Sequence, residues 1–167
     1  MNENSTSQAG VTGGLPAKAR PGPPPRILVV DDDSEIRRLN TQILERFGYE
    51  VKAAADGAAG WEALNADRYD LLITDNDMPN VSGLELIEKL RSVRMPLPVI
   101  MASGRLPTRE FERDPRLQPS ATLLKPYSVV EFLSTVETVL RGPDNACVQN
   151  APPREWQRRT AAVGLRL

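Results

Sequence analysis

Short apolar runs recur through the middle of the chain, separated by stretches with the three-to-four-residue spacing of amphipathic helices. Ile27-Leu28-Val29-Val30 has no polar position, the pattern of a strand covered on both faces. Ile36, Leu39, Ile43 and Phe47 then share one face of a predicted helix that Ser34 can cap and Gly48 closes. Tyr49 to Ala55 predicts a second strand, Ala58 to Asp67 a helix, Leu71 to Thr74 a third strand, and Leu84 to Val93 another helix. Pro98 to Ala102 predicts a fourth strand, with proline at its start, where a missing donor matters least. Pro107, Pro115 and Pro119 leave room only for a short helix around Thr108 to Arg113. Ala121 to Leu124 reads as a fifth strand and Val129 to Leu140 as the last helix.

Five strands alternating with five helices imply right-handed crossovers and an open parallel sheet covered on both faces, a doubly wound α/β fold. The flanks differ. Residues 1–25 are rich in Gly, Pro, Ser, Thr and Ala and read as a disordered leader, with 26–141 as the folded domain. Residues 142–167, interrupted by Pro143, Pro152 and Pro153, read as a mostly disordered tail. A short docking helix around Trp156, Val163, Leu165 and Leu167 is the alternative there.

Charge narrows the function classes. Residues 27–141 carry 14 Lys plus Arg against 19 Asp plus Glu, a net of −5, which argues against a phosphate-tracking nucleic-acid surface. The lone Cys147 excludes an intrachain disulfide and reads as a passive thiol. No segment reads as a signal peptide or a membrane span, so a cytoplasmic setting is expected. The chain contains no histidine, which removes histidine-based zinc sites, Ser–His triads and Cys–His dyads together.

The remaining chemistry collects at strand ends. Asp31 and Asp32 follow the first predicted strand, Asp75 the third, Ser103 the fourth and Lys125 the fifth. With the strand order 2-1-3-4-5 these ends meet at the switch point between the first and third strands. Converging carboxylates repel one another unless a cation joins them, and oxygen-only ligands point to Mg²⁺ or Mn²⁺. In phosphoryl transfer the protein mainly positions groups and neutralises charge. Asp75 suits the nucleophile, Lys125 and the Ser103 hydroxyl suit the phosphoryl oxygens, and the metal suits the bridge between.

Ile27-Leu28-Val29-Val30-Asp31-Asp32-Asp33, Asp75-Asn76-Asp77-Met78-Pro79 with Gly83 soon after, Met101-Ala102-Ser103-Gly104 and Lys125-Pro126 resemble, in order and spacing, the receiver domain of two-component response regulators. The resemblance spans about Arg26 to Arg141 and implies a flavodoxin-like fold. By that likeness Asp75 is the phosphoacceptor, Asp31 and Asp32 are the acidic metal pair, and Asp77 supplies its backbone carbonyl to the ion. Ser103 is the hydroxyl residue that moves toward the phosphoryl group, and Lys125 precedes a cis bond to Pro126. A partner histidine kinase or histidine phosphotransfer protein would supply the phosphoryl group. No second folded domain is legible after Arg141, so output is expected through an unidentified binding partner rather than through DNA or a membrane. A homodimer through the fourth- and fifth-helix face is open.

Three departures stand out. Thr122 occupies a switch position where the family usually has an aromatic residue, Gly104 stands where alanine is common, and the prolines shorten the fourth helix. Asp77 and Arg105 are candidates to tune phosphoryl lifetime. Two rival readings remain: a haloacid-dehalogenase-like phosphatase using Asp75 and Asp77, and a receiver-fold scaffold that is never phosphorylated. The leading reading is a switch rather than an enzyme, with chemistry confined to its own phosphorylation and dephosphorylation.

Overall fold

A computed structural model describes residues 23–142 of the 167-residue chain. The expected leader and tail, Cys147 and the docking segment around Trp156 therefore lie outside the described residues, apart from 23–25 and 142. The described elements are β1 (Arg26–Val30), α1 (Ser34–Arg46), β2 (Glu50–Ala54), α2 (Gly57–Ala66), β3 (Leu71–Thr74), α3 (Gly83–Ser92), β4 (Val99–Ser103), α4 (Thr108–Arg113), a 3₁₀ turn (Pro115–Leu117), β5 (Ala121–Leu124) and α5 (Val129–Arg141). The strands form one parallel sheet in the order β2-β1-β3-β4-β5, the flavodoxin-like arrangement.

Alternation within the central strands separates two cores. Ile27 and Val29 of β1, Ile73 of β3 and Ile100 of β4 face α1 and α5, with Leu44, Phe132, Leu133 and Val136. Leu28 and Val30, Leu72 and Met101 face the other way, onto Leu64 of α2 and Leu86, Ile87 and Leu90 of α3. Each fully buried side chain of this size contributes about 1.5–3 kcal/mol relative to its exposed state. A strand buried on both sides must be apolar at every covered position, which is why β1 after its first residue, Arg26, and β3 before Thr74 carry no polar side chain.

Several local expectations need correction. Asp33, not Ser34, caps α1: its carboxylate accepts the amides of Glu35 and Ile36 at 2.8 and 3.1 Å, because the backbone is still extended at Asp33 (φ −71°, ψ 110°) and already helical at Ser34. The chain leaves α1 through Gly48 at φ 87°, a conformation that favours glycine. Strand β4 begins at Val99 rather than Pro98 and extends to include Ser103. The α4 segment has the expected bounds but buries no residue, and the 3₁₀ turn after it, with Pro115 in its first positions, was not anticipated.

Candidate functional site

Ladder hydrogen bonds carry the sheet one step beyond its strands and fix the polar residues at the carboxyl edge. The Asp31 amide donates to Ala54 O on β2 (3.3 Å), the Asp75 amide to Val30 O on β1 (2.9 Å), and the Lys125 amide to Ser103 O on β4 (3.0 Å). Asp31 and Asp75 thus stand on the adjacent ends of β1 and β3, and Lys125 on the end of β5 beyond β4, all along one edge of the sheet although up to 94 residues separate them in sequence.

Their side chains meet. The Lys125 ammonium donates to Asp31 Oδ2 at 2.8 Å and lies 3.0 Å from Asp75 Oδ1, with both carboxylates almost wholly buried. The second oxygens are also held: Asp31 Oδ1 accepts the Asp33 amide at 3.0 Å, and Asp75 Oδ2 accepts the Asp77 amide at 2.6 Å. Burial pushes the Asp31 carboxyl above its ordinary range, opposed by Lys125 and the Asp33 amide. Burial alone would lower the Lys125 ammonium, but its bonds to Asp31 and Asp75 outweigh that and hold it above its usual value. One ammonium therefore serves two carboxylates, and the cluster keeps an excess negative charge.

The remaining predicted residues are arranged less tightly. Asp32 is exposed, and among the described residues no three Asp, Glu, His or Cys side chains stand close enough to form a metal cage. Asp31 and Asp75 are buried side by side, and Asp32, the next residue toward α1, faces solvent. Two buried carboxylates with an excess charge, a nearby solvent-facing carboxylate and main-chain oxygens still fit a hard divalent ion. Mg²⁺ retains several waters and takes one or two carboxylates rather than a full protein cage.

Ser103 is fully buried at the end of β4, its hydroxyl oxygen accepting the Arg105 amide at 3.3 Å. The Lys125–Pro126 peptide bond is cis. Asp77 and Arg105 are exposed and line one groove of about 450 Å³ together with Asn76 and Arg109. Thr122 pairs in register with Met101 and lies on the α3 side of β5, where it is exposed; Leu124 beside it is 57% exposed. A six-residue α4 with nothing buried leaves that strand face open.

Two supports have no role in the sequence reading, although Gly83 belongs to its motif. Arg37 of α1 donates to the carbonyls of Asp31 and Asp32 at 2.6 and 3.3 Å, and Gly83 packs directly under Asp75, whose carbonyl would lie 2.1 Å from any added Cβ. Asn40 was also overlooked. It is a polar residue one turn from Ile36 and Ile43 on the apolar face of α1, and that misplacement was the available signal.

Residues 27–137 match the response regulator receiver domain. The chain is 35% identical over 132 residues to the response regulator MprA of Mycolicibacterium vanbaalenii, covering 77% of this chain and 56% of that protein. It spans only about half or less of the length of the curated relatives it matches. A receiver domain protein (CheY-like) from Methanospirillum hungatei superposes with a TM-score of 0.66 at 30% identity, covering 71% of this chain and 94% of that one. The Thermotoga maritima response regulator TrrA, solved with Mg²⁺ and BeF, gives a TM-score of 0.60 at 29% identity, covering 68% and 96%. Among the described residues no helix is long and apolar enough to cross a membrane. Fold, residue order and relatives agree, and the chain belongs to the response regulator receiver domain family, whose function is to accept a phosphoryl group.

Proposed function

We propose that Asp75 is the phosphoacceptor of this receiver and that the phosphoryl donor is the phosphohistidine of a partner kinase or phosphotransfer protein. The observation that carries the reading is the Lys125 ammonium bridging Asp31 and Asp75 at 2.8 and 3.0 Å from three separate strand ends. An Asp75 oxygen bonds to phosphorus as the P–N bond breaks, and the freed electron pair returns to the donor imidazole. Lys125 shifts from Asp75 to a phosphoryl oxygen, and the Ser103 hydroxyl donates to another. Asp31, Asp75, the exposed Asp32 and the Asp77 carbonyl are the residues that would hold Mg²⁺, or Mn²⁺, which when bound supplies divalent positive charge against the phosphoryl oxygens.

The modified state would signal by shifting a conformational equilibrium read by a downstream protein. Because Thr122 brings no aromatic ring to β5, that coupling would run through Ser103 and the open β5 face rather than through a turning ring. Asp77 and Arg105, which share a groove with Asn76, the residue after Asp75, would set how long the phosphoryl group survives. Equal dephosphorylation rates in Asp77→Ala, Arg105→Ala and the parent would remove that role.

Incubation with acetyl phosphate and Mg²⁺ tests the main reading by intact mass. The expected product is a single labile acyl phosphate that is absent in Asp75→Ala. Continuous turnover would instead favour a phosphatase using Asp75 and Asp77, and no modification would favour a scaffold.

A further inference from the structure

The core between the sheet, α1 and α5 contains a polar pair that packing alone does not require. Asn40 and Tyr127 are each 1% exposed, and the Asn40 amide donates to the Tyr127 hydroxyl at 3.2 Å. The tyrosine ring stacks on Phe132, with centroids 5.6 Å apart and planes 20° from parallel, so phenylalanine would fill the same space. Asn40 Oδ1 is buried without a partner, a cost that leucine would avoid.

What the pair joins is specific. Tyr127 lies two residues beyond Lys125, on the far side of Pro126. Asn40 lies on α1, the helix that starts from the acidic turn at its Asp33 cap. One turn earlier, Arg37 ties the same helix to the carbonyls of Asp31 and Asp32. Lys125, Asp31 and Asp75 are near enough to act electrostatically on the buried Tyr127 phenol, which burial pushes above its ordinary range. Helix α1 is therefore a strut between the acidic turn and the segment that carries the ammonium. We propose that the Asn40–Tyr127 hydrogen bond is a positioning contact that fixes the Lys125 ammonium between Asp31 and Asp75. The functional part of this inference rests on the phosphoacceptor reading above.

The test separates positioning from stability. Removing both partners, as Asn40→Leu with Tyr127→Phe, leaves no stranded polar group and should retain a melting temperature near the parent's. In protein labelled with ¹⁵N-lysine, an ammonium hydrogen-bonded on two sides exchanges slowly with water and gives a resolved Nζ signal. The expected result is loss or broadening of the Lys125 signal in the double variant, with Lys52 and Lys89 unchanged. Acetyl phosphate modification of Asp75 should be about tenfold slower, since small misplacements of a charged group weigh heavily in transfer. A parent-like Lys125 signal and parent-like uptake in a folded double variant would overturn the proposal, as would a parent protein that lacks the signal. Should the double variant unfold, Tyr127→Phe alone carries the same two readouts. A parent that takes up no phosphoryl group sinks the phosphoacceptor reading, while the Lys125 signal still judges the pair.

Discussion

Gly83→Ala should damage the site without touching a charged group. Gly83 opens α3, and a Cβ built on it would lie 2.1 Å from the Asp75 carbonyl oxygen, 3.0 Å from its carbonyl carbon and 3.1 Å from Asn76 Cα. All three are backbone atoms, so no side chain can swing aside. Real Cβ atoms do not approach closer than 3.0 Å, which leaves a shortfall of about 0.9 Å (3.0 less 2.1) to be taken up by α3 or by the Asp75–Asn76 peptide. Overpacking of this kind costs about 1–3 kcal/mol, offset by up to ~1 kcal/mol of alanine helix propensity, for a net loss of roughly 1–2 kcal/mol. A displacement approaching 1 Å at Asp75 should slow phosphoryl uptake by about ten- to a hundredfold. Urea denaturation gives the first quantity, and the time course of acetyl phosphate modification by intact mass gives the second. Gly104→Ala is the matched control, for a Cβ there meets nothing within 4 Å. Parent-like stability and uptake in Gly83→Ala would show that the loop relaxes freely and would refute the close-packing argument.

Asp33→Ala removes two amide hydrogen bonds and should cost about 1 kcal/mol in denaturant titration, whereas Ser34→Ala should change little. Asp75→Asn leaves one ammonium facing one carboxylate, so its stability should match the parent's or exceed it by up to ~1 kcal/mol; a clear loss would mean that the second carboxylate is structurally required. The capping box at α3, where Glu85 accepts from Ser82 N and Oγ at 2.8 Å each, holds the Glu85 carboxyl below its usual value, chiefly through the Ser82 amide. The ionised form therefore stabilises the fold at pH values above the ordinary glutamate range, about 4.3, and that contribution is lost as pH falls through the lower folded value. In Glu85→Gln the fall in melting temperature on acidification should be shallower; an identical pH profile would count against the box.

The parts that were legible in sequence are those a single physical constraint decides. β3, α4 and β5 have the anticipated bounds because short, largely apolar runs or flanking prolines leave little choice. The strand order is the one that the receiver resemblance implies, and the meeting of Asp31, Asp75 and Lys125 follows from that order. Contests between neighbours were harder. Asp33 and Ser34 are both good caps, and only the turn geometry selects between them. Three consecutive aspartates look equivalent in sequence, yet the first is buried at the strand end while the second and third are exposed as the chain swings into α1. Asn40 and Tyr127 lie 87 residues apart, and no local pattern links a helical amide to a phenol beyond a proline.

The ladder bonds from Asp31, Asp75 and Lys125 to adjacent strands have a dynamic corollary. These amides are locked into the sheet rather than into loops, so their protons should exchange with solvent only when whole strands separate, on the timescale of global opening. Movement that carries a signal outward is then left to side chains and to the segment after Ser103, where the six-residue α4 buries no side chain fully and reaches the core only through the half-buried Phe111. The floor of the site is as slow to open as the molecule's interior, and its rim is free to respond.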